Sequence, residues 1–290
     1  MNIIKQFNEA MAYVEAHLMA DIDTAQIARL AGCSDYHFRR MFSFMADMPL
    51  GEYIRRRRLS LAANVLQSTA KKVSDVALDF GYETPEAFSK AFKKMHGVNP
   101  SQIKKGAVQL KILLPMTFQL TIKGGETMDY RIVEKEAFQI IGFKKRVTLQ
   151  FEGVNHQMDS LVQQLTPEII AELKALSDVE PKGMLNVSAN FADERVEGCE
   201  LDQYLGVATT QTVKTSFDRL AVEASEWAVF NVVGQFPEAL QATWAKIYGE
   251  WFPTSGYELT GGPELLWSES PDTSKINYRS EIWIPVCKLS

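Results

Sequence analysis

The feature that most constrains this chain is a short segment that occurs twice. Residues 32–42 read GCSDYHFRRMF and residues 81–92 read GYETPEAFSKAF. When Phe38 is aligned with Phe88, both copies carry apolar residues at a helical spacing. A short apolar segment that ends in glycine precedes each copy, IARLAG in the first and VALDFG in the second. The repeat therefore predicts a helix, a tight glycine turn and a second helix, twice over: two helix-turn-helix units.

The second helix of each unit is predicted to turn polar residues outward. In the first copy these are Tyr36, His37, Arg39, Arg40 and Ser43, and in the second they are Glu86, Ala87, Ser89, Lys90, Lys93 and Lys94. Arginine can pair with guanine through two hydrogen bonds and lysine can neutralise phosphate, so this set suits the major groove of double-stranded DNA. The alternative is a plain helical bundle whose basic residues are solvated. The presence of a second helix-turn-helix unit makes this interpretation less favourable.

The patterns along the chain predict an α domain followed by an α+β domain. Helical spacing covers residues 5–105, with caps expected at Asp23 or Thr24, Ser34 or Asp35, Ser74 and Thr84. After Gly106 the character changes, and we expect residues 1–108 to form the all-α domain and 109–127 a linker or edge structure. Residues 128–290 then repeat a plan of strand, helix and two strands, which predicts an α+β domain of two β-α-β-β units.

A long helix is predicted to connect the two helix-turn-helix units. It contains the run YIRRRRLSLAANVL at residues 53–66. Four consecutive arginines point around the whole cylinder of a helix, so we expect some to reach phosphates or acidic neighbours and others to lie along the core. A rigid connection would let both reading helices enter successive major grooves, about 34 Å apart.

Composition and charge narrow the class of protein. Residues 1–108 contain 15 Lys+Arg and 11 Asp+Glu, a balance of +4, whereas the remaining residues carry −9, so only the first part suits a polyanion. No apolar run approaches the ~20 residues of a membrane span. The cysteines are three and scattered, which predicts a reduced, cytoplasmic protein without disulfides. The four histidines do not cluster, so we expect no metal, no cofactor and no catalytic constellation.

Residues 8–106 resemble the DNA-binding domain of the AraC/XylS family of bacterial transcription regulators. The stretches that carry the resemblance are IARLAGCSDYHFRRMF, YIRRRRLSLAANVL and VSDVALDFGYETPEAFSKAFKKMHGVNPSQIKK. The resemblance implies base-reading positions at Tyr36, Arg39 and Arg40 in the first unit and at Pro85, Glu86, Ser89 and Lys90 in the second. It also implies RNA polymerase as a partner. Asp47 and Leu50 depart from the family pattern, in a connecting turn.

Residues 128–290 resemble the GyrI-like effector domain. The resemblance rests on DYRIVEKEAFQIIGFKKRV, YELTGGPELLW and YRSEIWIPV, together with the doubled β-α-β-β plan. It implies a pseudo-symmetric cup whose cleft binds small, often cationic and aromatic molecules. Related domains often carry a glutamate within the segment that corresponds to PELLW. Here that position is expected at Leu266, with Glu264 two residues earlier on the same face, so one acidic anchor is predicted to be missing.

Aromatic residues and one carboxylate are the effector-binding candidates in this half. The predicted set is Tyr204, Trp227, Trp251, Trp267, Tyr278, Glu281 and Trp283. Aromatic faces with a carboxylate hold a lipophilic cation by stacking and cation–π attraction, whereas the alternative is that most of these rings belong to the core. Glu281 and Trp283 share one face of their strand, and the opposite aliphatic face with Ile282 is the expected core face.

The expected function is a sequence-specific transcription regulator, not an enzyme, with a small lipophilic or aromatic effector. Two alternatives stay open for the cup. One is hydrolysis of a small electrophile, with Glu281 and a tyrosine as acid and base. The other is a protein-binding module, which the acidic charge of this half would suit.

Overall fold

The computed structural model describes residues 3–103, 110–119, 128–150, 155–192, 198–212 and 216–289. The chain divides into two compact units. The first comprises Met1–Phe38 and Met48–Thr121, and the second comprises Arg39–Asp47 and Ile122–Ser290. The second unit therefore includes a short segment that precedes most of the first in the sequence.

Seven helices form before residue 104, as the helical spacing predicts. They are α1 (Ile3–Ala16), α2 (Thr24–Ala31), α3 (Asp35–Ala46), α4 (Leu50–Ser68), α5 (Val73–Asp79), α6 (Pro85–His96) and α7 (Pro100–Ile103). Three expected caps are confirmed, because Asp23 accepts the amide of Ala25 at 2.9 Å, Ser34 that of His37 at 3.2 Å and Thr84 that of Ala87 at 3.1 Å. The cap predicted at Ser74 is wrong, since α5 begins one residue earlier. Lys104 and Lys105, predicted to continue α7, lie outside the described residues.

The core of the first unit lies where α4, α5 and α6 meet. Phe88 and Phe92 of α6 are completely buried there with Phe80, and Ala77 of α5 is equally buried. The small alanine side chain lets α5 pack closely against its neighbours. The apolar stripe that the repeat predicts is therefore the packing face of α6.

Residues 110–119 have no regular secondary structure, yet they are bound to the helices of the first unit. Asn8 exchanges two hydrogen bonds with the backbone of Phe118, at 2.9 and 2.7 Å. The amide of Leu113 donates to Ser60 at 2.9 Å, and that of Met116 to Tyr53 at 3.0 Å. The described part of the predicted linker is thus a strap across this unit. Residues 109 and 120–127 of the linker lie outside the described residues.

The described residues of the second unit form one sheet of nine strands. They are β1 (Tyr130–Lys135), β2 (Phe138–Thr148), β3 (Leu185–Ala189), β4 (Glu200–Thr209), β5 (Asp218–Val222), β6 (Ser225–Gly234), β7 (Tyr257–Leu259), β8 (Glu264–Ser268) and β9 (Tyr278–Lys288). The order is β1-β6-β9-β8-β3-β4-β2-β5, and β7 pairs with β9. All these pairs are antiparallel.

Two β-α-β-β units meet at the centre of this sheet. The first runs from β2 through α8 (Asp159–Val162) and α9 (Pro167–Leu176) to β3 and β4. The second runs from β6 through α10 (Glu238–Lys246), a π-helical turn and α11 (Phe252–Ser255) to β8 and β9. The pairing of β3 with β8 connects the two units, and the strand order is symmetric about that pair. The doubled plan predicted from the sequence is confirmed.

Both faces of the sheet are buried. One face holds a core cluster with Trp227, Val229 and Trp283. On the other face Ile282 and Ile284 of β9 are also completely buried. The expectation that the aliphatic face of β9 would be the core face is therefore incomplete, because β9 is buried on both sides.

Candidate functional site

The two helix-turn-helix units use the same turn. Gly32 has φ of 66° and Gly81 has φ of 77°, both in the left-handed region that glycine adopts easily. In each case the next amide closes the turn: Cys33 donates to Ala28 at 3.2 Å, and Tyr82 donates to Ala77 at 3.0 Å. The two turns therefore match at an offset of 49 residues.

The second turn is one residue longer than the first. Ser34 accepts the amide of His37 at 3.2 Å, and Thr84 accepts the amide of Ala87 at 3.1 Å. These two caps match at an offset of 50, so the additional residue is Glu83. The two units thus share one motif but differ in the length of the turn before the second helix.

The predicted reading residues of α6 are accessible. Glu86, Lys90 and Lys93 are exposed, while Pro85 and Ser89 are partly exposed. Phe88 and Phe92, which alternate with them along the helix, are buried. Every predicted reading residue of the second unit is therefore at least partly open to solvent.

The predicted reading residues of α3 are divided. Tyr36 is 38% exposed and Arg39 is partly exposed. His37, Arg40 and Ser43 are buried, so the outward placement expected for these three is not observed. The hydroxyl of Ser43 donates back to the carbonyl of Arg39 at 2.8 Å, which keeps it against its own helix.

The arginine run of α4 is used within the first unit. Arg55 and Arg56 both pair with Glu52. Arg57 pairs with Glu15 at 2.7 Å and also donates to the carbonyl of Leu113 in the strap.

Arg58 completes the run by binding the chain that follows α1. Its guanidinium donates to the carbonyls of Leu18 at 2.6 Å and Ala20 at 2.9 Å. All four arginines therefore have partners within the protein. Acidic neighbours were expected for only some of them.

A carboxylate under the strap has a perturbed pKa. Partial burial by itself would raise the pKa of Glu15, but hydrogen bonds from Arg57 and Tyr53 lower it below the usual value. The hydroxyl of Tyr53 donates to Glu15 at 2.7 Å. Glu15 is thus charged in the folded protein at neutral pH, and it holds α1 to α4.

The second unit contains a cavity of about 730 Å³ on the face of the sheet that carries Ile282. Strand residues form one wall, among them Val147, Asn186, Ser188, Leu201, Gln203, Glu264 and Leu266. The helical wall includes Leu240, Trp244 and Tyr248, which recur every four residues along α10 and the π-helical turn. Phe44 and Asp47 of the segment Arg39–Asp47 also line it.

Glu264 is the buried carboxylate of this cavity. It is 3% exposed and begins β8. The hydroxyl of Tyr248 donates to it at 2.9 Å. Ser188 lies opposite it on β3, and its hydroxyl donates to Gln203 at 3.1 Å. A buried carboxylate is therefore present at position 264, two residues before Leu266, where the resemblance predicts that an acidic residue is missing.

Arg40 occupies the site around Glu264. Its Nη2 donates to Glu264 and, at 2.8 Å, to the hydroxyl of Tyr248. Its guanidinium carbon lies 4.9 Å from the ring centre of Phe191 and 5.7 Å from that of Tyr248. Phe44 and Trp244 are stacked on the ring of Tyr248, with centres 5.0 and 6.0 Å away, and Phe252 packs against it at 5.4 Å. We call Glu264, Tyr248 and Phe191 the Glu264 site.

None of the seven predicted effector residues lines this cavity. Tyr204, Trp227 and Trp283 belong to the core cluster on the opposite face, where burial also raises the pKa of Tyr204. Trp267 packs at the edge of that cluster, and its indole donates to the carbonyl of Lys182 at 2.9 Å.

The other predicted effector residues have structural partners. Trp251 packs against Phe230, with ring centres 4.9 Å apart, and Tyr278 donates to the carbonyl of Ser270. The carboxylate of Glu281 pairs with Arg131 at 2.9 Å on the face opposite Glu264. The acid–base role considered for Glu281 therefore has no support from its position.

The sequence contains a signal for the lining residues. Leu240, Trp244 and Tyr248 form one stripe at a spacing of four, and Glu264 shares its strand face with Leu266. A carboxylate on an otherwise apolar strand opposite an aromatic stripe indicates a cavity wall. The pairing of the two, however, depends on which elements pack together.

Among the described residues, no group of three or more His, Cys, Asp or Glu side chains is placed to hold a metal ion. No helix in the described ranges is long and apolar enough to cross a membrane.

Comparisons with known proteins agree with both halves of this description. The family described as GyrI-like small molecule binding domain matches residues 128–286, and a helix-turn-helix domain family matches residues 27–106. The transcriptional activator AarP of Providencia stuartii is 38% identical over 94 residues, which cover 32% of this chain and 70% of AarP. The regulatory protein SoxS of Escherichia coli is 32% identical over 100 residues, covering 34% of this chain and 94% of SoxS.

One solved structure is similar to this chain at low identity. It is a putative bacterial transcription regulation protein of Staphylococcus aureus, 19% identical, covering 55% of this chain and 99% of that chain with a TM-score of 0.42.

The two helix-turn-helix units and the cavity on the sheet define a DNA-binding transcription regulator with a small-molecule-binding domain. The family comparisons make the assignment specific. The chain belongs to the AraC-type regulators that carry a GyrI-like small molecule binding domain.

Proposed function

We propose that this regulator binds a small lipophilic, aromatic cation in the cavity beside Glu264 and reads a specific DNA sequence with α3 and α6. The observation that carries the effector class is the position of Glu264, a carboxylate 3% exposed in an aromatic-lined cavity. A buried carboxylate requires a cationic partner, because an uncompensated charge away from water is strongly unfavourable. In this structure the partner is Arg40, and a cationic ligand would meet the same requirement.

The lining of the cavity supports the same ligand class. Trp244, Tyr248 and Phe236 provide aromatic surface, and Leu240 and Leu266 provide aliphatic surface. The lining residues of ordinarily charged type, among the described ones, are Asp47 and Glu264, which are both acidic. Cation–π attraction adds to the carboxylate in such a site. A volume of about 730 Å³ lies within the ordinary range for small-molecule sites.

The DNA side of the proposal rests on the accessible residues of the reading helices. Lys90 and Lys93 on α6, with Arg39 and Tyr36 on α3, give donors for phosphates and base edges. The two units differ at every position predicted to face outward, so we propose an asymmetric site that is read as two different half-sites. RNA polymerase is the proposed protein partner, and the cytoplasm, where the bacterial chromosome lies, is the proposed location.

A matched pair of ligands tests the effector class. Methyltriphenylphosphonium is a lipophilic cation, and triphenylphosphine oxide has the same three rings without a net charge. The full chain should bind the cation at least ~10-fold more tightly, because desolvated cation–π contacts and a charged partner are together worth about 2 kcal/mol or more. Titration calorimetry gives both affinities, and at 100 times its Kd the cation should stabilise the chain by about 2.7 kcal/mol.

The variant Glu264→Gln should remove the preference for the cation, because it retains the shape of the side chain without its charge. Glu281→Gln is the matched control, since Glu281 pairs with Arg131 on the opposite face of the same sheet. It should retain the preference. Equal affinity of the unaltered chain for the cation and the neutral molecule would contradict the proposed effector class.

A further inference from the structure

We infer that Arg40 acts as a built-in competitor of the effector: its guanidinium holds the Glu264 site until a cationic effector replaces it. Replacement releases Arg40 for contact with a DNA base. This inference rests on the proposed function, because it assumes that the effector is a cation that binds at Glu264.

The environment of Arg40 is one that would suit such an effector. The side chains of Arg40 and Glu264 are 3% and 2% exposed. The guanidinium is a planar cation whose carbon lies 4.9 Å from the centre of the Phe191 ring, and Nη2 also bonds the hydroxyl of Tyr248 at 2.8 Å. A carboxylate, a hydroxyl and aromatic faces around one delocalised cation are the elements of a lipophilic-cation site.

Arg40 cannot serve Glu264 and DNA at the same time. Bidentate recognition of guanine uses two N–H groups of one guanidinium and needs that group in the major groove. In this structure Nη2 donates to Glu264 and Tyr248 and the side chain is buried. Segment Arg39–Asp47 belongs to the same compact unit as Glu264, so the contact is part of that unit's own packing.

The charge of Glu264 determines which ligands can carry out the exchange. If Arg40 left without a replacement, a buried carboxylate would remain without a counter-charge, which is strongly destabilising. A cation at Glu264 removes that cost, whereas a neutral molecule does not. The replacement of Arg40 by the effector therefore accounts for the selectivity for cations and for the coupling between effector binding and DNA binding. The cation and the DNA favour the same state of Arg40, so each raises the affinity of the protein for the other.

The test compares cation binding by the full chain and by Arg40→Met, which retains an apolar stem without the charge. The probe is methyltriphenylphosphonium, measured by calorimetry in the absence of DNA. If Arg40 holds the site about 90% of the time, its removal should tighten binding about 10-fold, because the binding-competent fraction rises to one. Arg131→Met is the control, since it removes the same charge from an ion pair on the opposite face, and its affinity should equal that of the unaltered chain.

A second measurement determines the affinity for DNA. The probe is a duplex selected from a random library by the full chain in the presence of the cation. The cation should raise the affinity of the unaltered chain for this duplex. Glu264→Gln should bind the duplex more tightly than the unaltered chain without any cation, and adding the cation should then change little.

The outcomes separate this inference from the proposed function. If the cation binds neither the unaltered chain nor Arg40→Met, both fail. If it binds both with the same affinity, or binds Arg40→Met more weakly, the effector class stands and the competition is overturned. Should Arg40→Met fail to fold, the double variant Arg40→Met with Glu264→Gln leaves no buried charge, and its DNA affinity compared with Glu264→Gln alone reports whether Arg40 contacts the duplex.

Discussion

Glu264 and Ser188 lie directly opposite each other in the β8–β3 pair, at the junction of the two β-α-β-β units. The only buried carboxylate among the residues that line the described cavity is thus at the centre of the pseudo-symmetric sheet. Helix α10 covers it from one unit, and the polar residues Ser188 and Gln203 approach it from the other. A ligand here would contact both units.

The lining residues, and not the core tryptophans, should control effector affinity. Trp244→Ala should weaken binding of methyltriphenylphosphonium by about 3-fold to 30-fold, the range that loss of a cation–π contact predicts. Trp227→Phe should leave that affinity unchanged, because Trp227 is completely buried on the opposite face of the sheet. It should instead lower the free energy of unfolding by about 1 kcal/mol or more. Calorimetry and chemical denaturation measure the two effects, and a loss of affinity in Trp227→Phe would contradict the assignment of the cavity.

Two lysines of α6 should affect DNA binding in different ways. Lys90→Ala should reduce the free energy of binding to the selected duplex by about 1–3 kcal/mol and relax the sequence preference at one base pair, as expected for a base contact. Lys93→Ala should weaken binding to all sequences and reduce the slope of log K against log salt by about 1. Lys174→Ala, on the exposed surface of α9, is the charge-matched control. If its salt slope falls as much as that of Lys93→Ala, α6 is not the phosphate-contacting helix.

Glycine at position 81 should be required, whereas glycine at position 51 should not. An alanine at Gly81 has an unfavourable positive φ, and its Cβ would lie 3.1 Å from Nη1 of Arg58, whose guanidinium is fixed by two carbonyls. We expect a loss of about 1–2 kcal/mol. Gly51 is the second residue of α4 and has open space around it, so Gly51→Ala should stabilise by no more than about 0.5 kcal/mol. Denaturation followed by helical circular dichroism measures both, and a neutral Gly81→Ala would contradict the strained turn.

Acid should weaken the contact between α1 and α4. The pKa of Glu15 is lowered in the folded state. The ionised carboxylate therefore makes its full contribution to the free energy of unfolding above the pKa that Glu has in the unfolded chain, about 4.3. This contribution is lost as pH falls from that value through the lower folded pKa. Glu15→Gln should therefore have a lower free energy of unfolding than the unaltered chain at pH 7. Between pH 7 and pH 3, the free energy of unfolding should fall less in Glu15→Gln than in the unaltered chain. Denaturation curves at the two pH values test this, and parallel losses in both chains would rule it out.

The sequence by itself determined the elements and the doubled plans. Helical and strand periodicities depend on which residues are apolar at spacings of about four and of two, which are local properties. Caps such as Asp23 and Thr84 and the turn glycines Gly32 and Gly81 act within a few residues of their own positions. The two helix-turn-helix units and the two β-α-β-β units were predictable for this reason.

Only the tertiary structure decided which face of the sheet carries the cavity. Alternation places Glu281 with Trp283 and Glu264 with Leu266, but both faces of the sheet are buried, so apolar content does not distinguish them. Likewise, helical spacing shows that Arg40 points away from the core of its own helix pair, and it cannot show that Glu264, 224 residues later, lies there. A long-range pairing of one buried cation with one buried carboxylate depends on how separate elements pack, and no local pattern records it.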